Sequence, residues 1–130
     1  MWNGVALLRE HNLITTRMIT DIQQELEQIT AGVRNLPGTA LKNDLTGETV
    51  YTPPDNEQTI RNLLANLEHY INSEADTDPL VKMTIIHYQF ESIHPFYDGN
   101  GRLGPIQYQF TKRTDSVLAC EPTVSPRAKT

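Results

Sequence analysis

A histidine, a carboxylate, two glycines flanking an amide and an arginine fall within one short run, His94-Pro95-Phe96-Tyr97-Asp98-Gly99-Asn100-Gly101-Arg102. That is more chemistry than a surface loop needs, and its types suit phosphate. Gly99 and Gly101 are free to take positive φ and to expose main-chain N–H groups as a concave nest of donors. Asn100 between them adds a side-chain amide. A helix beginning here would aim its unpaired N–H groups and positive dipole end at the same anion. Arg102 supplies a planar fork of donors matched to phosphate geometry. Asp98 is a hard oxygen ligand of the kind Mg²⁺ takes while shared with a nucleotide's phosphates. His94, with an ordinary pKa near 6.5, takes a proton at neutral pH, and Pro95 after it fixes where the preceding helix stops. A general base, a metal ligand and an anion hole together suit attack of a hydroxyl on a nucleotide phosphate.

A rival chemistry uses the same histidine. His87, Glu91 and His94 are spaced i, i+4 and i+7, one face of a helix, which is also the geometry of a zinc or iron hydrolase site. Pro95 ends that helix near the third ligand, and the Gly-Asn-Gly-Arg run would be left without a purpose. His87 therefore reads as a core histidine, and His11 and His69 as solvent-facing ones.

The elements that must position the run are mostly helical. Trp2 to Asn12 reads as the remnant of a helix. Thr16 to Ala31 reads as a second, with Met18, Ile19, Ile22, Leu26 and Ile29 as its core stripe and Gly32 and Pro37-Gly38 beyond its end. Asp44-Leu45-Thr46-Gly47-Glu48 is a turn flanked by Ala40-Leu41 and Val50-Tyr51, a small hairpin. Pro53-Pro54-Asp55 caps the next helix, with Gln58 completing a capping box, and Ile60, Leu63, Leu64, Leu67 and Ile71 repeat along it. Asp78 and Pro79 open a last helix, Leu80 to Ile93, apolar around most of its circumference and so expected to be central and buried, with His94 at its end. The fold class is all-α with a small β-hairpin flap.

Composition sets the outer limits. One domain is expected from 130 residues, and the single Cys120 excludes an internal disulfide and fits a reducing, cytoplasmic setting. Residues 1–104 carry 7 Lys and Arg against 14 Asp and Glu, an acidic body that argues against nucleic acid as partner. No apolar run approaches the roughly 20 residues that span a bilayer, and no signal peptide opens the chain. From Pro105 the periodicity dissolves, so the reading is a domain over 1–104 followed by an irregular or disordered tail over 105–130.

His94 through Arg102 resembles the signature of Fic domains, His-x-Phe-x-(Asp/Glu)-Gly-Asn-Gly-Arg-x-x-Arg, and Pro37-Gly38, Thr52-Pro53-Pro54 and the helix before His94 are similar to family segments. The resemblance implies transfer of AMP from ATP, with Mg²⁺, to a Ser, Thr or Tyr hydroxyl of a target protein. His94 would be the catalytic base, Phe96 the core anchor of the loop and Asp98 the metal ligand. Gly99, Asn100, Gly101 and Arg102 would bind phosphates. The target would lie along the flap, about residues 39–51; the family's inhibitory-helix pattern has no match in this sequence, which implies that the segment lies upstream of Met1, is supplied by a separate inhibitory protein or was lost.

The family's second arginine, which would hold the γ-phosphate, is replaced here by Pro105, and the apolar helices that follow the motif in similar proteins have no counterpart. Two other readings stay open on that account. One is a remnant, truncated or frame-disrupted after the motif, that binds nucleotide or a partner without turnover. The other is a Doc-like transfer of a phosphoryl group.

Overall fold

The computed structural model describes residues 13–73 and 76–103. The expected segment Trp2–Asn12, Pro105 and the tail lie outside them, as does the disruption of the C-terminal helices. Within them lie three α-helices and one antiparallel hairpin, as the sequence leads one to expect: α1, Thr16–Glu27; β1, Leu41–Lys42; β2, Thr49–Tyr51; α2, Glu57–Asn72; and α3, Pro79–Ile93, followed by a 3₁₀ turn, Gly101–Leu103.

Helix α1 starts where Thr15, in extended conformation, accepts a hydrogen bond from the Met18 N–H. Its N-terminus is tied to the last turns of α2. Glu68 Oε2 accepts from the Thr16 N–H at 2.7 Å and its hydroxyl at 2.9 Å, which also sets a carboxylate at the positive end of the helix. Asn72 bonds both main-chain groups of Ile14, accepting from its N–H at 2.9 Å and donating to its carbonyl at 2.7 Å. The helix ends four residues earlier than its apolar stripe implies. Gln28 turns left-handed at φ 55°, which breaks the i→i−4 ladder and leaves Ile29 exposed instead of in the core.

Helix α2 is capped by Asn56, whose Oδ1 accepts from the Thr59 N–H at 3.1 Å. The expected cap, Asp55, does other work: its carboxylate accepts from the Gly38 N–H at 3.0 Å. Ile60, Leu64, Leu67 and Ile71 form the buried face and Leu63 packs at its edge.

Asp78 caps α3 by accepting from the N–H groups of Leu80 and Val81, with Pro79 in the first helical turn. Burial corrects one expectation here. Only Lys82, Ile86, Phe90 and Ile93 are buried on α3, while Leu80, Val81, Ile85 and Tyr88 are exposed, so one face of the helix and not its whole circumference meets the core. His87 is exposed too, not a core histidine, and His69 faces solvent as expected.

The core is one cluster in which Ile19, Ile22, Ile60, Leu64, Ile86, Phe90 and Phe96 meet. The hairpin sits outside it, Leu41 opposite Tyr51 and Lys42 opposite Thr49 with an irregularity between. Asn43 builds its turn, accepting at Oδ1 from the Leu45 and Thr46 N–H groups. One side-chain bond fixes the hairpin beside the end of α3, donated by the Tyr51 hydroxyl to the Ser92 carbonyl at 2.8 Å.

Candidate active site

Helix α3 ends at His94, which is its C-cap and takes the left-handed conformation, φ 47° and ψ 60°. A β-branched or bulky residue pays for such a bend in strain, and here it turns the chain sharply out of the helix. Pro95 and Phe96 then dive into the core; Phe96 is wholly buried, 6.3 Å from the Phe90 ring, and pairs with Val33 as an isolated β-bridge. The chain re-emerges at Tyr97 and Asp98.

The loop is closed by Asn100. Its side chain accepts from the Phe96 N–H at 3.0 Å and donates to the Phe96 carbonyl at 2.8 Å, and only 4% of the residue is exposed. The amide expected to face an anion therefore spans the loop from within. Gly99 takes φ +79° as its type allows, but Gly101 does not lie in the left-handed region, so one glycine and not two makes the bend. Of a helix starting near Asn100 the described residues include only the turn Gly101–Leu103, which is 3₁₀.

His94, Tyr97, Asp98, Gly99, Asn100, Gly101 and Arg102 line one cavity of about 320 Å³. A larger open depression of about 630 Å³ is lined by Asn35, Pro37, Asp55, Asn56, Glu57, Gln58 and Arg61, and shares no residue with the motif. Of the seven residues to which the resemblance gives a role, His94, Asp98, Gly99, Asn100, Gly101 and Arg102 line the motif cavity and Phe96 stands apart, in the core.

Electrostatics at the two ends of the loop differ. Burial lowers the His94 pKa from its ordinary value; the nearby Glu91 charge opposes this and the Arg34 charge adds to it. Nδ1 of His94 and Oε1 of Glu91 are both buried without a hydrogen-bond partner among the described residues. Asp98 is exposed, and one carboxylate oxygen accepts from the Gly99 N–H at 2.7 Å.

Five residues from outside the motif, Gln23, Glu27, Arg34, Asn35 and Leu36, hold it in place. Gln23 donates to the Asp98 carbonyl at 3.1 Å. Glu27, whose side chain is 6% exposed, accepts from Arg102 Nη1 at 3.1 and 3.2 Å, and a Cβ on Gly99 would lie only 2.6 Å from its Oε1. A carboxylate of the chain itself thus already lies against the loop's glycine and arginine. The Tyr97 hydroxyl accepts from the Asn35 and Leu36 N–H groups, fastening the loop to the segment after α1. Arg34 is fully buried behind His94. Gln23 and Glu27 follow one another at i, i+4, which marks a shared helix face; nothing local announces that this face meets a loop 75 residues on.

The metal-hydrolase alternative does not form. Among the described residues no group of three or more His, Cys, Asp or Glu stands together as a metal site. A lone exposed carboxylate does fit a Mg²⁺ that arrives on phosphates and keeps its waters. Among the described residues no helix is long and apolar enough to cross a membrane.

The profile of the Fic/DOC family matches residues 13–107. A probable protein adenylyltransferase of Aquifex aeolicus (strain VF5) is 35% identical over 72 residues, which are 55% of this chain and 22% of that protein. The solved structure of a fragment of Fic-1 from C. elegans superposes with a TM-score of 0.60 at 22% identity, covering 83% of this chain and 31% of that one. This chain thus spans under a third of either relative, and the likeness to the second is one of fold. The matched profile takes in all three helices, the hairpin and the whole motif loop, and on that ground the chain belongs to the Fic/DOC family.

Proposed function

We propose that this chain carries the catalytic loop of a protein adenylyltransferase, which moves AMP from ATP to a hydroxyl-bearing side chain of a target protein. The observation that carries the reading is the single cavity shared by His94, Asp98, Gly99 and Arg102. A base, a carboxylate, a glycine bend and a guanidinium converge there within reach of one phosphate chain.

The chemistry follows from the groups. Desolvation keeps the His94 imidazole neutral at pH 7, so it is ready to accept the proton of an attacking hydroxyl. The hydroxyl oxygen forms a bond to the α-phosphorus, the bond from that phosphorus to the bridging oxygen breaks, and pyrophosphate leaves. Main-chain N–H groups at Asn100 and Gly101, with the Arg102 fork, favour the negative charge gathered on the phosphates, and the Gly99 N–H joins them where it exchanges the Asp98 carboxylate for a phosphate oxygen. Asn100 serves this through its main chain and by shaping the loop, since its side chain is turned inward. Arg102 reaches a nucleotide by exchanging the Glu27 carboxylate for a phosphate. Asp98 would hold the Mg²⁺ that comes with ATP, and that ion would screen the phosphates' charge. The hairpin, anchored through Tyr51 with Val50 and Leu45 exposed, would take the target as an added strand, an interaction with protein rather than nucleic acid. We place the reaction in the cytoplasm, where ATP and target proteins are available.

Incubation with ATP labelled at the α-phosphate, Mg²⁺ and cell lysate tests this. Label should pass to protein with the native chain and fall at least 100-fold with His94→Ala. Equal labelling by both would remove the proposal, and label passing only from the γ-phosphate would assign phosphoryl transfer instead, the outcome that Pro105 in place of a second arginine keeps open.

A further inference from the structure

We infer that Arg34 is the positioning residue for His94, holding the imidazole at the cavity by binding the main chain on both sides of the bend. The inference rests on His94 acting as the base. Three consecutive carbonyls accept hydrogen bonds from this one residue. Arg34 Nε donates to the His94 carbonyl at 2.6 Å, Nη2 donates to the Ile93 carbonyl at 3.2 Å, and the Arg34 main-chain N–H donates to the Pro95 carbonyl at 2.9 Å. Nη2 also donates to the Pro54 carbonyl, so the guanidinium ties the bend to the start of α2 as well.

The arrangement answers a specific need. The last carbonyls of a helix have no partner within it, and a left-handed histidine keeps its conformation only where its surroundings impose it. Arg34 supplies both the donors and a positive charge at the negative end of α3. Because φ and ψ at residue 94 set the direction of its Cα–Cβ bond, fixing the carbonyls at 93, 94 and 95 fixes where the imidazole points. The guanidinium is itself held: it is fully buried, and its Nη1 faces Asp55 at 4.0 Å. A lysine, a single point of donation on a flexible stem, cannot span these acceptors together. Glu91, from the last turn of α3, is the other charged group acting on His94, so Arg34 and Glu91 pull its charge in opposite senses.

The decisive variant is Arg34→Lys, read by three measurements: thermal melting by circular dichroism, the His94 imidazole signals by NMR, identified by their loss in His94→Ala, and kcat and KM for AMP transfer. Asn72→Ala, which loosens the tie between α1 and α2 far from the bend, is the control for general loss of stability. The expected result for folded Arg34→Lys is displaced or broadened His94 signals and a kcat lowered at least tenfold with KM for ATP within twofold, while Asn72→Ala leaves the His94 signals in place. Arg34→Lys that folds with unchanged His94 signals overturns the inference, as does Asn72→Ala moving those signals equally. If the native chain transfers no AMP, the reading of the base fails on its own and the NMR signals still decide the positioning. Should Arg34→Lys not fold, Asp55→Asn replaces it, leaving Arg34 in place without its counter-charge. A displacement at His94 then supports the inference, and unmoved signals overturn it.

Discussion

At the scale of single residues, the meeting of His94, Asp98 and Arg102 at one cavity was legible in their spacing, because an imidazole, a carboxylate and a guanidinium close together in sequence stay close in a short loop. What each amide and glycine does was not. Asn100 faces inward because a buried turn must satisfy the Phe96 main chain, and only Gly99 needs a positive φ. Two expected outcomes belong here. The His94 pKa lies below its ordinary 6.5, lowered chiefly by burial, so the acid limb of kcat/KM should have its midpoint below that value; a limb above it would contradict the burial. The same displacement acts on stability with a definite sign. The unfolded chain takes up this proton first as pH falls, so this contribution to stability is intact above about 7 and is lost as pH drops through the unfolded value toward the folded one. Gly99→Ala meets both a left-handed φ of +79° and the Glu27 carboxylate, and should lower stability by about 1–3 kcal/mol in urea unfolding while weakening nucleotide binding.

At the scale of elements, helix identity followed from apolar periodicity and the starts of helices from their caps, but ends and neighbours did not. The stop of α1 at Gln28 has no glycine or proline to announce it, and the cap of α2 moved by one residue because Asp55 is engaged with Gly38. Asn56→Ala should therefore cost about 1 kcal/mol in thermal or urea unfolding. A capping loss seen at Asp55 and absent at Asn56 would reverse the assignment. Periodicity is equally silent about which face of an all-round apolar helix finds a partner. That is why α3 looked central in the sequence, yet presents Leu80, Val81, Ile85 and Tyr88 outward. The long-range ties that matter most to the site, Gln23 to Asp98, Glu27 to Arg102 and Arg34 to His94, join segments 60 to 75 residues apart. Pairing over that span is decided by tertiary packing, which no local pattern encodes.

At the scale of the molecule, a site assembled from α1, the segment after it and the loop beyond α3 couples occupancy to the whole fold. A ligand at 100 times its Kd adds about 2.7 kcal/mol to stability. ATP with Mg²⁺ should thus raise the melting temperature by several degrees, more than ATP alone. Asp98→Ala should abolish the increment due to Mg²⁺ and keep the rest. No shift with ATP at millimolar concentration would leave the cavity without its nucleotide. The bend at position 94 carries one more consequence. A left-handed corner costs an imidazole more than a glycine, and this one also buries a ring nitrogen without a hydrogen-bond partner among the described residues. His94→Gly should accordingly outlast the native chain in denaturant by about 1 kcal/mol while transferring nothing. On the proposed reading, durability and reactivity are set against each other at this one side chain.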